Sequence, residues 1–525
     1  MTKVLKAGGL WLVVAAVVWL ITIWRWQTTA DDVGTIDIVL HLLVLPTLLT
    51  LALLGVLWGA ARLRTQAASP LPGAAAVPTP AGPAPATLHP EEALRQTRLW
   101  LLDASVNLRV GTSVEQALSA LAEGAERPSL DPVLEDLDGL PAFTARSAAI
   151  DEALQWGDDP DEEGPAAWLR PDGTEVPEGV RRALLALAPV LGQLLDRLAQ
   201  EALGSDAASE SARSGVPLAS GHDMRAHLSG VAPTESIARR QARESARPGL
   251  TVRLLMPGDW SQDDQAFAVQ WTKARSGSLL DWAEASGAKA VRWQVSPVES
   301  PEAWWDEVDQ LMSQWHREAR PELMMALALD SAIDADHIDR LQAQGALFTA
   351  QHQTGRVPGE GAAGLLLASP GWPRLDAMEP LPAQLLRPLR TRRDKSADAT
   401  GRASTVALEA LLKQATEHTA AQAEHLQLLA DSDHRPSRTA ELYQALQAVL
   451  PEVDPMRQVL RLGDTCGELG MVRALAPLAL AWASLREDEA QRVALAALLQ
   501  SPHERVVIAL LPHPPAPLGD TAHAV

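Results

Sequence analysis

The sequence is poor in cysteine, tyrosine, phenylalanine and positive charge. One cysteine, Cys466, stands among 525 residues. That excludes a disulfide framework and any zinc site built from a cysteine cluster. One tyrosine and three phenylalanines stand against 17 tryptophans, a compositional habit with no function attached. Lys and Arg number 45 against 66 Asp and Glu, a formal charge of −21. A general nucleic-acid binder needs a basic face, so that class is set aside. No P-loop and no His-x-x-x-His pair occurs. No phosphate cradle, metal or cofactor is expected. What remains is ordinary for a folded chain, with 47% hydrophobic and 21% charged residues.

The charge is uneven. Residues 1–66 carry a net +2 and the rest carries −23. Within the first segment, Ala7–Trp24 is an uncharged run of 18 residues and Ile38–Ala61 one of 24. A bilayer core needs roughly 20 apolar residues per helix, so residues 1–64 read as a two-helix transmembrane hairpin. Trp24-Arg25-Trp26 ends the first run as an interfacial anchor, unlike a signal-peptide cleavage site. Lys3 and Lys6 precede the hairpin, Arg62 and Arg64 follow it, and three aspartates lie in its loop. The positive-inside rule then places both ends in the cytoplasm of a bacterial inner membrane. Residues 65–90 are rich in Ala and Pro, a semi-rigid spacer that holds the body off the bilayer.

The body, residues 91–525, alternates strand and helix patterns. Arg98–Val110 reads as a strand and loop. Ser113–Ala122 reads as a helix with apolar positions at 114, 117, 118 and 121, stopped by Gly124. Arg181–Leu203 is a long apolar helix, and residues 204–248 read as a mobile polar insertion. Strands come next at 250–257, 288–296, 321–331 and 359–369, with a helix capped by Ser300 and opened by Pro301. After a polar break at 391–401 come helices at 404–416, 438–449 and 468–485 and strands at 425–431, 458–463 and 505–512. This predicts an α/β fold with a largely parallel sheet and two halves of similar rhythm, 91–370 and 371–525.

Several segments together resemble the thiolase-like superfamily, in particular β-ketoacyl synthases. They are Leu101–Pro128, Leu327–Ala368 with its Pro-Gly-Glu motif, the glycine turn Leu460–Ala481, and a closing strand at Glu504–Pro512. The resemblance covers most of residues 97–512 and implies a layered α/β/α/β/α architecture. It also implies pairing of two copies through the first-half sheet. Such synthases carry a cysteine nucleophile at the turn before a buried helix, because a thiolate there can accept and release an acyl chain. In this chain that position falls between Gln294 and Trp304, which holds no cysteine. Ser296 and Ser300 are the hydroxyls nearby, and Ser300 already caps a helix. Where a Gly-His pair is expected, the chain has Gly463-Asp464. His434 lies near the other expected histidine and also reads as a surface-loop residue. Cys466 is the remaining thiol, at a helix start or as a packed core residue. Glu360 and Asp330-Ser331 read as structural, and the cluster Arg387, Arg390, Arg392, Arg393 and Lys395 as a contact for anionic lipid or a partner, or a solvated loop.

The resemblance implies two readings, beside a third in which the chain is a structural membrane protein whose body only dimerises. The first is a membrane-tethered, catalytically degenerate module that binds a protein partner, such as an effector of type VI secretion. The second is an acyltransferase or condensing enzyme with a non-standard site drawn from Ser296, Ser300, Cys466 and His434.

Overall fold

A computed structural model describes residues 97–157, 168–214, 248–286, 291–373, 378, 380–401, 404–487 and 493–513, together with Trp19. Apart from Trp19, the two apolar runs at 7–24 and 38–61 and the linker at 65–90 lie outside the described residues. Among the described residues, no helix is long and apolar enough to cross a membrane.

The first half contains β1 (Arg98–Leu108), the hairpin β2 (Ser129–Glu135) and β3 (Pro141–Thr144), then β4 (Gly249–Leu255), β5 (Val291–Gln294), β6 (Glu322–Ser331) and β7 (Glu360–Ala368). The second half contains β8 (Ala383–Leu386), β9 (Leu389–Arg392), β10 (Leu426–Ala430), β11 (Val459–Arg461), β12 (Val493–Leu498) and β13 (Glu504–Leu511). The first-half order is β5-β4-β6-β7-β1 and the second-half order is β11-β10-β12-β13-β8. In each, three parallel strands are followed by a fourth that is antiparallel to both its neighbours, so the fifth runs in the direction of the first three. The similar rhythm of the two halves is therefore a repeated topology. Antiparallel pairing of β1 with β8 joins them into one sheet.

Helices cover both faces. They are α1 (Val114–Glu123), α2 (Ala148–Gly157), α3 (Glu178–Ser214), α4 (Gln262–Arg275), α5 (Ser278–Ala285), α6 (Pro301–Glu318), α7 (Ala335–Ala343), α8 (Val406–Thr419), α9 (Pro436–Val449), the four-residue turn α10 (Gly463–Cys466) and α11 (Ala476–Glu487). Period-two alternation along each strand divides the apolar side chains among three cores. Ala363, Leu365 and Leu367 of β7 and Ala494, Ala496 and Leu498 of β12 face a shared central core with α1, α6 and α11. Ala362, Leu366 and Ala368 of β7 turn instead toward α3, α4 and α5. Val493, Leu495 and Ala497 of β12 turn toward α8 and α9. The two halves of the one continuous sheet lie on either side of the shared core, so the layers run helix, half-sheet, helix, half-sheet, helix, the α/β/α/β/α order that the resemblance implies.

Local chemistry fixes these elements as the sequence predicts in several places. Ser113 Oγ accepts from Gln116 N, and Gly124 closes α1 in a left-handed conformation. Gly359, Gly361 and Gly364 have the G-x-G-x-x-G spacing of a dinucleotide-binding turn, yet they lead into and through β7, so no strand–turn–helix cradle forms. Gly364 serves packing: a Cβ there would lie 2.6 Å from Leu194 Cδ1 and 2.8 Å from Val190 Cγ1 of α3.

The structure corrects several expectations. α3 continues to Ser214, through the first part of the polar segment expected to be mobile from 204; residues 215–247 lie outside the described residues. The helix expected over 468–485 is a 3-10 turn at Gly470–Ala474 followed by α11, because a tight turn at Gly467 and Gly470 reorients the chain first. β12, reading VALAAL, is absent from the strands that the pattern predicts; alanine favours helices, and only its central sheet position makes it a strand. The hairpin β2–β3 and helices α5 and α7 are further elements that the periodicity does not bring out.

Candidate functional site

The loop from β5 to α6 is where the resemblance places a nucleophile. Ser296 is exposed on that loop, and its carbonyl accepts from Arg253 Nη1 at 2.7 Å. Ser300 Oγ accepts from Ala303 N at 3.1 Å, and Pro301 opens the helix. Its hydroxyl is committed to the cap.

The next polar residue, Glu302, is buried and binds Arg473 through both carboxylate oxygens. Arg473 Nη1 also donates to Asp431 Oδ2 at 3.2 Å. Asp431 accepts in addition from Leu499 N and Gln500 N. Glu302 comes from the first-half helix, Asp431 follows β10, Leu499 follows β12 and Arg473 lies in the 3-10 turn, so one ion triad joins the two halves. Two carboxylates share one guanidinium, which leaves a net negative charge in the interior. Burial disfavours ionised Glu302, but Arg473 overrides it and holds the group below the usual carboxylate range. Burial pushes Asp431 up to about 6, against the pull of Arg473 and the Leu499 N–H. Nothing in the sequence pairs Glu302 with Arg473; the one signal is an arginine inside the apolar run from Met471 to Trp482.

Cys466 closes α10 instead of opening a helix, so the helix-start alternative is corrected. It is fully buried in the central core, and burial pushes its thiol up to about 11. The reactive form is the thiolate, which is scarce at neutral pH under that shift. The backbone of Gly359 lies against it: a Cβ there would sit 2.1 Å from the Cys466 carbonyl oxygen. Asp464, at the expected histidine position, pairs with Arg461 at 2.8 Å and Arg127 at 3.6 Å.

His434 is half-buried on the loop between β10 and α9, as the loop alternative expects. Its ring stands edge-on to Phe348 at 4.9 Å, and Phe348 stands edge-on to Phe143 at 5.1 Å. His434 Nε2 is buried without a hydrogen-bond partner among the described residues. No hydrogen bond there joins Ser296, Ser300, His434 and Cys466 to one another. The structure does not assemble them into a relay.

Glu360 is structural, as its motif suggests. It is fully buried, pairs with Arg182 at 2.6 Å, and accepts from Ser147 N and Ser331 Oγ. Asp330 does more than the turn-capping that the sequence suggests. It accepts from Met471 N at 2.8 Å, and burial pushes it up to about 7, with Asp259 and Glu468 adding to the rise. It lines a cleft of about 210 Å³ with His337, Arg340, Arg356 and Glu468. Arg340 pairs with Asp259 and Arg356 with Glu468, so the cleft's cations are already matched. The basic cluster is largely neutralised too: Arg387 binds Asp309, Arg390 binds Asp306 and Glu504, and Arg393 binds Glu441. Arg392 and Lys395 are exposed beside these pairs. Among the described residues, no group of three His, Cys, Asp or Glu side chains could hold a metal ion.

No protein-family profile matches the chain, and no curated protein matches it. Solved structures do. One is the ishigamide ketosynthase/chain length factor, at 14% identity and TM-score 0.46, covering 79% of this chain and 100% of that one. Another is a ketosynthase from module 6 of the bacillaene synthase of Bacillus subtilis 168, at 11% identity and TM-score 0.46, covering 80% and 72%. A third is cerulenin-bound Xanthomonas campestri OleA, at 10% identity and TM-score 0.37, covering 79% and 96%. The layered fold rests on the strand order and the three cores.

Proposed function

We propose that this chain is a membrane-tethered, catalytically degenerate relative of the ketosynthases that works by binding a protein partner. The observation that carries the reading is the start of α6. Where the resembled family holds a cysteine, this chain holds a helix-capping serine and a glutamate locked into a buried ion triad. Ketosynthase chemistry needs an accessible thiolate and a donor for the developing oxyanion. Here the thiol is sealed and the position expected to carry a histidine carries Asp464, a carboxylate that would repel such a charge. The hairpin at 1–64 and the spacer at 65–90 hold the body at the cytoplasmic face of a bacterial inner membrane. Its acidic surface favours encounter with basic partners. The specific role is that of an adaptor or loading factor for a secreted effector of the type VI kind, a reading that rests on the resemblance alone. β5 ends the first-half sheet and is the edge at which a second copy would pair.

Two experiments test this together. Affinity capture of the full chain from solubilised membranes is expected to recover one protein in near-stoichiometric amount; recovery of none contradicts the binding role. Incubation with an acyl-thioester probe is expected to leave the chain unlabelled; stoichiometric labelling at Ser296, Ser300, His434 or Cys466 restores the enzyme.

A further inference from the structure

The described residues expose ten large apolar side chains, and four of them fall between positions 130 and 140. They are Leu130, Val133, Leu137 and Leu140, each more than half exposed, on the β2–β3 hairpin and its turn. A two-stranded sheet with one face in a core presents polar residues on the other. This hairpin does bury one face. Leu134 and Ala142 pack with Ile333, Ile338 and Leu341, and Leu137 N donates to the Gln342 side chain. The outward side chains are nevertheless apolar, and such clustering marks a contact surface.

The charges around it select the occupant. From Pro128 to Ala145 there are four acidic residues and no basic one; of the flanking cations, Arg127 pairs with Asp464 and Arg146 with Asp131. Asp131 is taken by Arg146, which leaves Glu135, Asp136 and Asp138 beside the apolar side chains. A cleft of about 410 Å³ runs alongside, lined by Asp136, Asp138, Leu140 and Leu347. Its lining also includes Gln342, Thr349, Gln351 and His352, and Asp136 and Asp138 form its acidic rim on the hairpin side. A second copy laid face to face would bring these carboxylates together. Anionic lipid and nucleic acid are repelled for the same reason. We infer that the hairpin's outer face and this cleft dock an amphipathic segment of a protein partner, with Leu-type side chains on the hairpin and Lys or Arg at the acidic rim. This inference names the partner chemistry for the binding role proposed above and rests on that reading.

The test measures fluorescence anisotropy of a labelled helical peptide of Leu and Lys titrated with the full chain in detergent. A Leu/Glu peptide of equal length is the comparison. The Leu/Lys peptide is expected to bind and the Leu/Glu peptide to fail. Val133→Ser with Leu137→Ser is expected to weaken binding at least tenfold with an unchanged melting temperature. Glu135→Lys with Asp138→Lys is expected to weaken it as much. The charge-matched control Glu417→Lys with Glu424→Lys, on a distant exposed surface, is expected to change it less than twofold. Equal loss in the control pair would reduce the effect to bulk charge and overturn the inference. So would unchanged binding in both hairpin variants, or self-association of the chain abolished by Leu137→Ser. Acylation by a thioester probe with intact peptide binding would instead overturn the non-catalytic reading and leave the docking surface standing.

Discussion

The two halves of the body share a strand order and differ in the segment that leaves the edge strand. After β5 the chain caps and enters the 18-residue helix α6. After β11 it makes only the four-residue turn α10, then a 3-10 turn, before α11. Topology is duplicated and the local chemistry is not. The repeated order is set by hydrophobic alternation, which tolerates many sequences. The meeting point of the halves is set by single side chains, and in this chain they are Glu302, Arg473 and Asp431. A buried ion triad demands matched geometry and contributes little net stability, yet breaking it leaves charges stranded.

The sharpest way to break the comparison is Arg473→Ala. It strands two buried carboxylates between the halves and is expected to cost about 3–5 kcal/mol, read as a lowered denaturant midpoint. An unchanged midpoint would mean that the triad does not join the halves. Gly364→Ala acts within the first half alone. Its Cβ enters the contact with Leu194 and Val190, and overpacking of this kind costs about 1–3 kcal/mol. Ser300→Ala removes the α6 cap and is expected to cost about 1 kcal/mol, with no effect on thioester labelling. A labelling change there would give Ser300 a chemical role.

A further effect is one of pH. Asp330 is pushed up to about 7 from an ordinary value of 3.8. Between those values the folded state holds the proton more tightly than the unfolded chain, so stability falls as pH rises. Its contribution is fully present below about pH 4 and is lost as pH passes 7. Asp330→Asn keeps an acceptor for Met471 N and is expected to flatten that decline, measured as melting temperature between pH 4 and 8. An unaltered slope would assign the decline to Asp103 or Asp431, both raised by burial to about 6.

Much of the fold is legible in the sequence because it is written locally. The Ser113 and Ser300 caps, the helical spacing of α1 and the apolar runs of β4, β6 and β13 each signal themselves over a few residues. The elements that escape depend on tertiary context. The alanine-rich β12 is a strand only because β10 and β13 flank it. The β2–β3 hairpin rests on α7, two hundred residues away, through Gln342. For the site, the missing nucleophile can be read from the resemblance, because absence at one position needs no geometry. The triad cannot, since Glu302 and Arg473 are 171 positions apart and neither carries a local pattern. The same holds for the basic cluster, whose charges meet Asp306, Asp309, Glu441 and Glu504 only in the folded chain.

Intact-protein mass spectrometry after exposure to an acyl-thioester probe tests the central claim most directly. The account predicts no mass gain over the unmodified protein, either in the native full chain or in Cys466→Ala. A stoichiometric acyl adduct on the native protein, lost in Cys466→Ala or in a Ser296, Ser300 or His434 variant, would contradict it.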